Sequence, residues 1–332
     1  MKIISFWSRL NTKNLNTKPI NMRLSTLISF FIVSMILSSC STYKMADGHL
    51  KRKLKRADLE YKTLKTDDYT ITYWDNGDTE KPPYVLFHGF GSSTRFQWHE
   101  QAKKLSKTHR LILPNLLHFG STPNEQDCYS ISDHVKAMSV LLDSLDIDKM
   151  VLGGISYGGV VAAELAQMQP EKVEKLTIFS SPVKFFRLSD LSSIEEKFQV
   201  DDVEELLVPK DIDMMREMFD LITYKSPSVP KFVLKDLHEN LFCDKAVCDS
   251  KKAVLSALKM DAELLMTSEY DFSFPILLVW GENDELIPPR IGNELLEYLP
   301  TAELYMIPKS GHAPNFEQEK KFNKVLFEFL EK

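Results

Sequence analysis

The sequence predicts an α/β protein: a mostly parallel central sheet with helices on both faces and an inserted helical lid. Three observations carry that reading. Short apolar runs alternate with amphipathic stretches from residue 69 onward, the interval 183–271 replaces that alternation with helical patterns alone, and a Gly-x-Ser-x-Gly pentapeptide lies where a strand gives way to a helix.

The first forty residues stand outside this pattern. Met22-Arg23 precedes an uncharged apolar stretch, 24–37, and Ser38-Ser39-Cys40 follows. A cationic start, an apolar run short of the ~20 residues that span a bilayer, and small residues at its end describe a secretory signal. Leu37-Ser38-Ser39-Cys40 also resembles the bacterial lipobox, which implies that Cys40 is diacylated and becomes the first residue of the mature chain. An ordinary signal peptide and a short uncleaved anchor are the alternatives, and Met22 offers a second start that would make 1–21 an upstream extension. The expectation is a signal peptide over 1–39 and a lipidated tether with a basic linker over 40–66. The protein is then an exported bacterial lipoprotein of the cell envelope, and Ser41 after the cysteine is compatible with outer-membrane delivery. The run Lys51-Arg52-Lys53-Leu54-Lys55-Arg56 leaves two readings open, attraction to anionic headgroups or a solvated helix face.

In the body of the chain the strand-like runs are 69–74, 84–87, 110–113, 150–152, 176–179, 276–280 and 303–306. Asp75-Asn76-Gly77 after the first of them is a hairpin turn signal. Apolar residues recur at helical spacing over 97–107, 131–145, 158–169, 289–298 and 317–331. The core is therefore expected over 67–182 and 272–332. Between them lie helical pieces over 188–200, 203–207, 212–224, 229–242 and 251–266, rich in Leu, Met and Phe. A structureless loop of that length is improbable in a compact domain, so the interval reads as a lid. Ligands of parallel sheets bind beyond the carboxyl ends of the strands, beneath such an insertion. Met214, Met215, Met218 and Phe219 are expected to line an apolar pocket there.

Composition narrows the function classes. The 332 residues carry 41 Lys+Arg against 47 Asp+Glu, a net charge of −6, which lacks the concentrated cationic surface that nucleic acid requires. A hydrophobic content of 43% with 12 Gly excludes a disordered or collagen-like chain, and 4 Cys are too few for a disulfide scaffold. Cys243 and Cys248 could pair across a short loop in an oxidising compartment. No His lies near them at zinc-ligand spacing, so no metal is expected.

The chemistry rests on Gly154-Ile155-Ser156-Tyr157-Gly158, between a strand and a helix. In that context the Ser occupies a strained turn, and small neighbours let the backbone bend sharply. A hydroxyl needs a base, and the base an orienting acid. Asp284 follows the strand 276–280, and His312 follows the next strand, both on the sheet edge that holds Ser156. Glu282 and Glu285 are the rival acids, more readily solvated loop charges. Of the eight His residues, only His312 lies in a late post-strand loop.

His88-Gly-Phe-Gly91, Gly154-Ile-Ser-Tyr-Gly158, Gly281-Glu-Asn-Asp284 and Gly311-His312, in this order, make the chain resemble the α/β-hydrolases over roughly residues 60–332. Within that superfamily it is similar to membrane-anchored monoacylglycerol lipases and bacterial esterases and lipases. The resemblance implies an α/β-hydrolase fold, a Ser156, Asp284, His312 triad, and an oxyanion hole from the backbone N–H groups of Phe90 and Tyr157. Gly89, Gly91, Gly154 and Gly158 then allow close backbone approach, with His88 a structural buttress. It further implies hydrolysis of carboxylic esters or lipids through an acyl-enzyme, without metal or organic cofactor. One departure is the segment Pro114-Asn115-Leu-Leu-His-Phe-Gly120-Ser121, which lacks the Asp of the family's usual Asp-x-x-Gly-x-Gly. The alternatives are a carbon–carbon bond hydrolase of the meta-cleavage type, which shares the Ser triad, and a non-catalytic binding lipoprotein.

Overall fold

A computed structural model of the chain describes residues 41–120 and 127–332. Cys40 and the apolar run 24–37 lie outside the described residues. Among those described, no helix is long and apolar enough to cross a membrane.

Eight strands form one sheet: β1 (Glu60–Lys65), β2 (Thr70–Asp75), β3 (Pro83–Phe87), β4 (Arg110–Pro114), β5 (Met150–Ile155), β6 (Val173–Phe179), β7 (Ile276–Gly281) and β8 (Ala302–Ile307). Their spatial order is β1-β2-β4-β3-β5-β6-β7-β8. The β1–β2 and β2–β4 pairs are antiparallel, and every later pair is parallel. The central strands read as continuous apolar runs because both faces are covered. Alternate residues divide between two cores. On β3 and β4, Val85, Phe87 and Ile112 enter one cluster, while Tyr84, Leu86, Leu111 and Leu113 enter the other.

Helices α3 (Ile131–Ser144), α4 (Tyr157–Met168) and α10 (Arg290–Tyr298) cover the first face through Val135, Met138, Val160, Ile291 and Leu295. Helices α1 (Thr42–Lys55), α2 (Thr94–Thr108) and α12 (Glu319–Leu330) cover the other through Leu54, Trp98, Leu105, Phe322 and Leu326. A short α11 (Pro314–Glu317) precedes α12. Between β6 and β7 come five helices without a strand: α5 (Leu188–Phe198), α6 (Glu204–Leu207), α7 (Ile212–Ile222), α8 (Lys231–Leu241) and α9 (Lys245–Thr267). They have a small apolar cluster of their own around Met215, Leu234, Phe242 and Leu255.

Two expectations change. The segment read as a tether is folded from Thr42 onward. Helix α1 packs on α2 and α8, with Leu50 and Leu54 buried and the basic residues outward, and β1 forms the sheet edge. Two polar bonds tie α1 to the insertion, from Thr42 Oγ1 (2.7 Å) and Tyr43 N (2.6 Å) to Asp236 Oδ2. Second, residues 75–77 do not close a hairpin, because β4 separates β2 from β3. Asp75 Oδ1 instead accepts the Gly77 N–H (2.8 Å), and the carboxylate grips Arg110 at 3.2 and 3.4 Å.

Asp75 is 1% exposed, and burial alone would raise its pKa. The Arg110 hydrogen bonds, the Gly77 N–H and the Lys62 charge outweigh burial and hold it below its ordinary 3.8. A depressed carboxylate stabilises the fold above its unfolded pKa and loses that contribution as pH falls through the folded value. Asp75→Asn should lower the unfolding free energy at pH 7 by about 3 kcal/mol, since it leaves Arg110 buried without its counter-charge. Urea titration should show a lower midpoint at unchanged slope, with the gap to the parent narrowing below pH 4.

Candidate active site

The end of β5 turns through Ser156 into α4. Ser156 has φ 54° and ψ −126°, left-handed backbone that a non-glycine residue adopts only when its surroundings enforce it. Three bonds do so: Ser156 N to Phe179 O (2.9 Å), Gly159 N to Ser156 O (2.9 Å) and Ser181 Oγ to Ser156 O (2.7 Å). Neighbouring backbones approach so closely that a Cβ on Gly154 would lie 2.1 Å from Gly158 O, and one on Gly158 would lie 2.4 Å from His88 O. No side chain fits at either position.

Asp284 and His312 meet on the same sheet edge, from the loops after β7 and β8. Asp284 is 4% exposed and His312 8%. Asp284 Oδ1 accepts from Leu286 N (3.1 Å) and Ile287 N (2.9 Å), which leaves Oδ2 to accept from His312 Nδ1 at 2.9 Å. That bond leaves Nε2 as the ring's acceptor. Glu282 and Glu285 are exposed, and Glu285 pairs with Lys197 instead.

The loop after β3 brings Phe90 beside the turn, with Gly89 3.4 Å from the Ser156 Cβ when a Cβ is placed on it and Gly91 at φ 71°. Among the described residues neither the Phe90 nor the Tyr157 backbone N–H has a protein acceptor, and Tyr157 is the first residue of its helix, where the N–H has no intrahelical partner. His88 is fully buried, which pushes its imidazole down to about 4. Its Nε2 accepts from Leu116 N at 3.1 Å, so Nδ1 carries the proton, 2.8 Å from Gly89 O. The ring thus fastens the Phe90 loop to the segment after β4. In that segment Asn115 takes the place of the absent Asp, accepting from Thr94 N and donating to Thr72 Oγ1.

Ser156 and His312 open into one cavity of about 750 Å³ under the insertion. Met215, Met218 and Phe219 line it, together with Ile222 on the same face of α7. Met214 does not: one residue earlier, its side chain leaves the helix about 100° away from that face. Cys243 and Cys248 are free thiols, so the pairing expected between them is absent. The Cys248 thiol donates to Phe242 O (2.8 Å), whereas Cys243 turns to His238 Nδ1 (3.4 Å).

Glu317 escaped the sequence reading. Its Oε1 accepts from Gly311 N and its Oε2 from Tyr224 N, each at 2.7 Å, and His312 N donates to Ile222 O at 3.0 Å. The loop bearing His312 is thereby joined to the end of α7. An acidic residue at the end of a four-residue helix carries no pattern that would mark this role.

The chain has the α/β-hydrolase fold. A family described as alpha/beta hydrolase fold matches residues 82–223. Lipase 1 of Psychrobacter immobilis is 28% identical over 269 residues, 79% of this chain and 81% of that one. Monoacylglycerol lipase abhd6-A of Xenopus laevis is 23% identical over 90% of each chain. Among solved structures, a membrane phospholipase A described as a bacterial virulence factor superposes with a TM-score of 0.76 at 20% identity, covering 93% of this chain and 97% of that one. The 2-hydroxy-6-oxo-6-phenylhexa-2,4-dienoate hydrolase of Rhodococcus gives 0.71 at 20% identity over 82% and 99%. The chain is thus similar to lipases over most of its length, and the structural likenesses show the shared fold.

Glu317→Ala leaves two N–H donors without their charged acceptor. The unfolding free energy should fall by about 2 to 3 kcal/mol, and amide exchange at Gly311 and Tyr224 should accelerate together.

Proposed function

We propose that the protein is a serine hydrolase of carboxylic esters, with Ser156 as nucleophile, His312 as general base and acid, and Asp284 as the orienting acid. The observation that carries this reading is the buried His312–Asp284 bond, opening with the strained Ser156 onto a single, largely apolar cavity. In the reaction Ser156 Oγ attacks the ester carbonyl as its proton passes to His312 Nε2. The developing oxyanion takes hydrogen bonds from the Phe90 and Tyr157 N–H groups, which need no reorganisation to receive it. His312 then protonates the departing alcohol, and water, activated by the same ring, cleaves the acyl-enzyme. Asp284 holds the ring in the required tautomer without itself exchanging the proton.

The substrates proposed are short- to medium-chain acyl esters of the monoacylglycerol kind. The apolar wall supports this, each buried methylene contributing up to ~0.8 kcal/mol until the pocket is full. The lipase relatives support it as well. Exposure to a fluorophosphonate should place a single adduct on Ser156. Ser156→Ala and His312→Ala should reduce ester turnover by about 10⁴-fold or more, and Asp284→Asn somewhat less, with the fold intact. Across p-nitrophenyl esters from acetate to decanoate, kcat/KM should rise before it levels. A monotonic fall from acetate indicates a small-substrate esterase, and turnover of a vinylogous diketone alone indicates the carbon–carbon hydrolases. No adduct and no turnover would leave the binding-lipoprotein alternative.

The same proposal places the protein in the cell envelope, anchored through acylated Cys40. Acyl chains are the main anchor, because a short basic run binds membranes only weakly. Cys40→Ser should therefore release the protein from the membrane fraction, and sedimentation that survives a carbonate wash would indicate an uncleaved helix.

A further inference from the structure

Helix α9 presents one face to the cavity along its length, through Val247, Lys251, Leu255, Leu258, Ala262 and Leu265. Their spacing is the i, i+3, i+4 stripe of a helix with one apolar side, and Lys251 is the charge that interrupts it. Lys251 is 4% exposed, yet among the described residues no carboxylate pairs with it. Two of the other cavity cations have carboxylate partners. Arg95 pairs with Asp47 and Lys259 with Asp202, and Lys184 gives its ammonium to the Met266 and Ser268 carbonyls at the end of α9.

Lys251 Nζ donates to Leu241 O at 2.8 Å and lies 4.2 Å from the centroid of the Phe242 ring, and both of those residues are cavity wall. An ammonium has three N–H donors, and a buried one without a counter-charge is costly. Burial accordingly pushes the amine down to about 8, which leaves it protonated at pH 7. The titratable group that acts on it is the Cys248 thiol, itself pushed up by burial and so uncharged at that pH. The elbow lies toward the other end of α9: Ser181, which holds Ser156 O, is three residues from Lys184, which holds Met266 O. From Met266 back to Lys251 is roughly 22 Å along the helix axis.

We infer that Lys251 forms a binding subsite for an anionic group, carboxylate or phosphate, carried by the substrate away from its ester bond. The inference rests on the esterase reading of the same cavity. It narrows the substrate class from neutral esters to amphiphiles with one ester and one anionic terminus. The anion takes an N–H that Leu241 leaves unspent and restores charge balance at a lysine that is itself 4% exposed. Phe242 and the aliphatic stripe meanwhile receive the chain between the two polar ends.

Calorimetric titration of the full-length Ser156→Ala protein at pH 7 with octyl phosphate, octanoate and 1-octanol tests this without turnover. The two anions should bind at least tenfold more tightly than the alcohol, the stronger of them identifying phosphate or carboxylate as the natural group. Adding Lys251→Met should remove that margin while leaving 1-octanol within twofold, and Lys251→Arg should preserve it. Equal binding of all three ligands by the Lys251 protein overturns the inference, whatever the variants do. A Lys251→Met variant that weakens all three alike also overturns it, assigning the lysine to capping α8. In the active protein, the mono-p-nitrophenyl ester of octadecanedioic acid, whose chain is long enough to reach Lys251 from the elbow, should be preferred over p-nitrophenyl stearate. If neither ester is cleaved while the anion margin persists, the esterase reading fails and the subsite stands.

Discussion

The left-handed backbone at Ser156 is the constraint around which the rest of the structure is arranged. A serine at φ 54° is unfavourable by itself, of order 1–3 kcal/mol, and persists only where its surroundings over-determine it. Here the surroundings are the parallel sheet. β6 supplies Phe179 O to the Ser156 N–H, the residue two beyond it supplies Ser181 Oγ to the Ser156 carbonyl, and the end of β3 runs so close that a Cβ on Gly158 would meet Phe87 O and His88 O. The turn therefore depends on the β3–β5–β6 register, and the register depends on two cores that divide alternate residues of each strand. Strain at one residue is maintained by burial distributed over the whole sheet.

The same logic distributes the polar groups. Asp284 has both oxygens committed, one to two backbone N–H groups and one to His312, so the ring cannot turn without breaking a buried bond. Glu317 repeats the device one step outward, joining Gly311 to Tyr224. Each carboxylate links segments distant in sequence, and in each case backbone N–H groups rather than lysines are the main partners. Backbone donors have fixed positions, whereas a lysine would have to give up rotamer entropy to hold the same place.

Legibility in the sequence followed burial. Strands covered on both faces announced themselves as apolar runs, so β3 to β7 were readable to within a few residues, as were the helices packed on them and the half-exposed edge strand β8. β1 and α1 were not, because an edge strand with the pattern Glu-Tyr-Lys-Thr-Leu-Lys and a helix that buries Leu50 and Leu54 look like solvated chain. The turn residues 75–77 misled for a related reason: Asp75 is used to balance a buried Arg110, a contact 35 positions away that no local pattern encodes. The elbow glycines, Asp284 and His312 could be picked out because each sits at a strand end with a residue type the chemistry requires. Glu317 could not, since its role exists only once Gly311 and Tyr224 are neighbours. Helix α9 was read from Lys251 onward, and without the turn that precedes it the lysine looked like a helix start rather than a charge within an apolar stripe.

The insertion and the sheet divide the work between them. The groups proposed to make and break a bond all hang from strand ends, whereas α7 and α9, which carry none of them, each contribute a face of the cavity wall. The two parts are nevertheless held in register at separate points. α1 bridges Asp236 of α8 to Arg95 of α2, and the end of α7 is bonded to the His312 loop through Ile222 and Tyr224. Moving the insertion as a body would break several hydrogen bonds to charged groups, each worth about 1.5–3 kcal/mol. Sequence change in the cavity-facing stripes, by contrast, alters volume and charge without touching those points. In the proposed hydrolase, one substrate can be exchanged for another by substitutions on α7 and α9, with the strained serine and its partners left undisturbed.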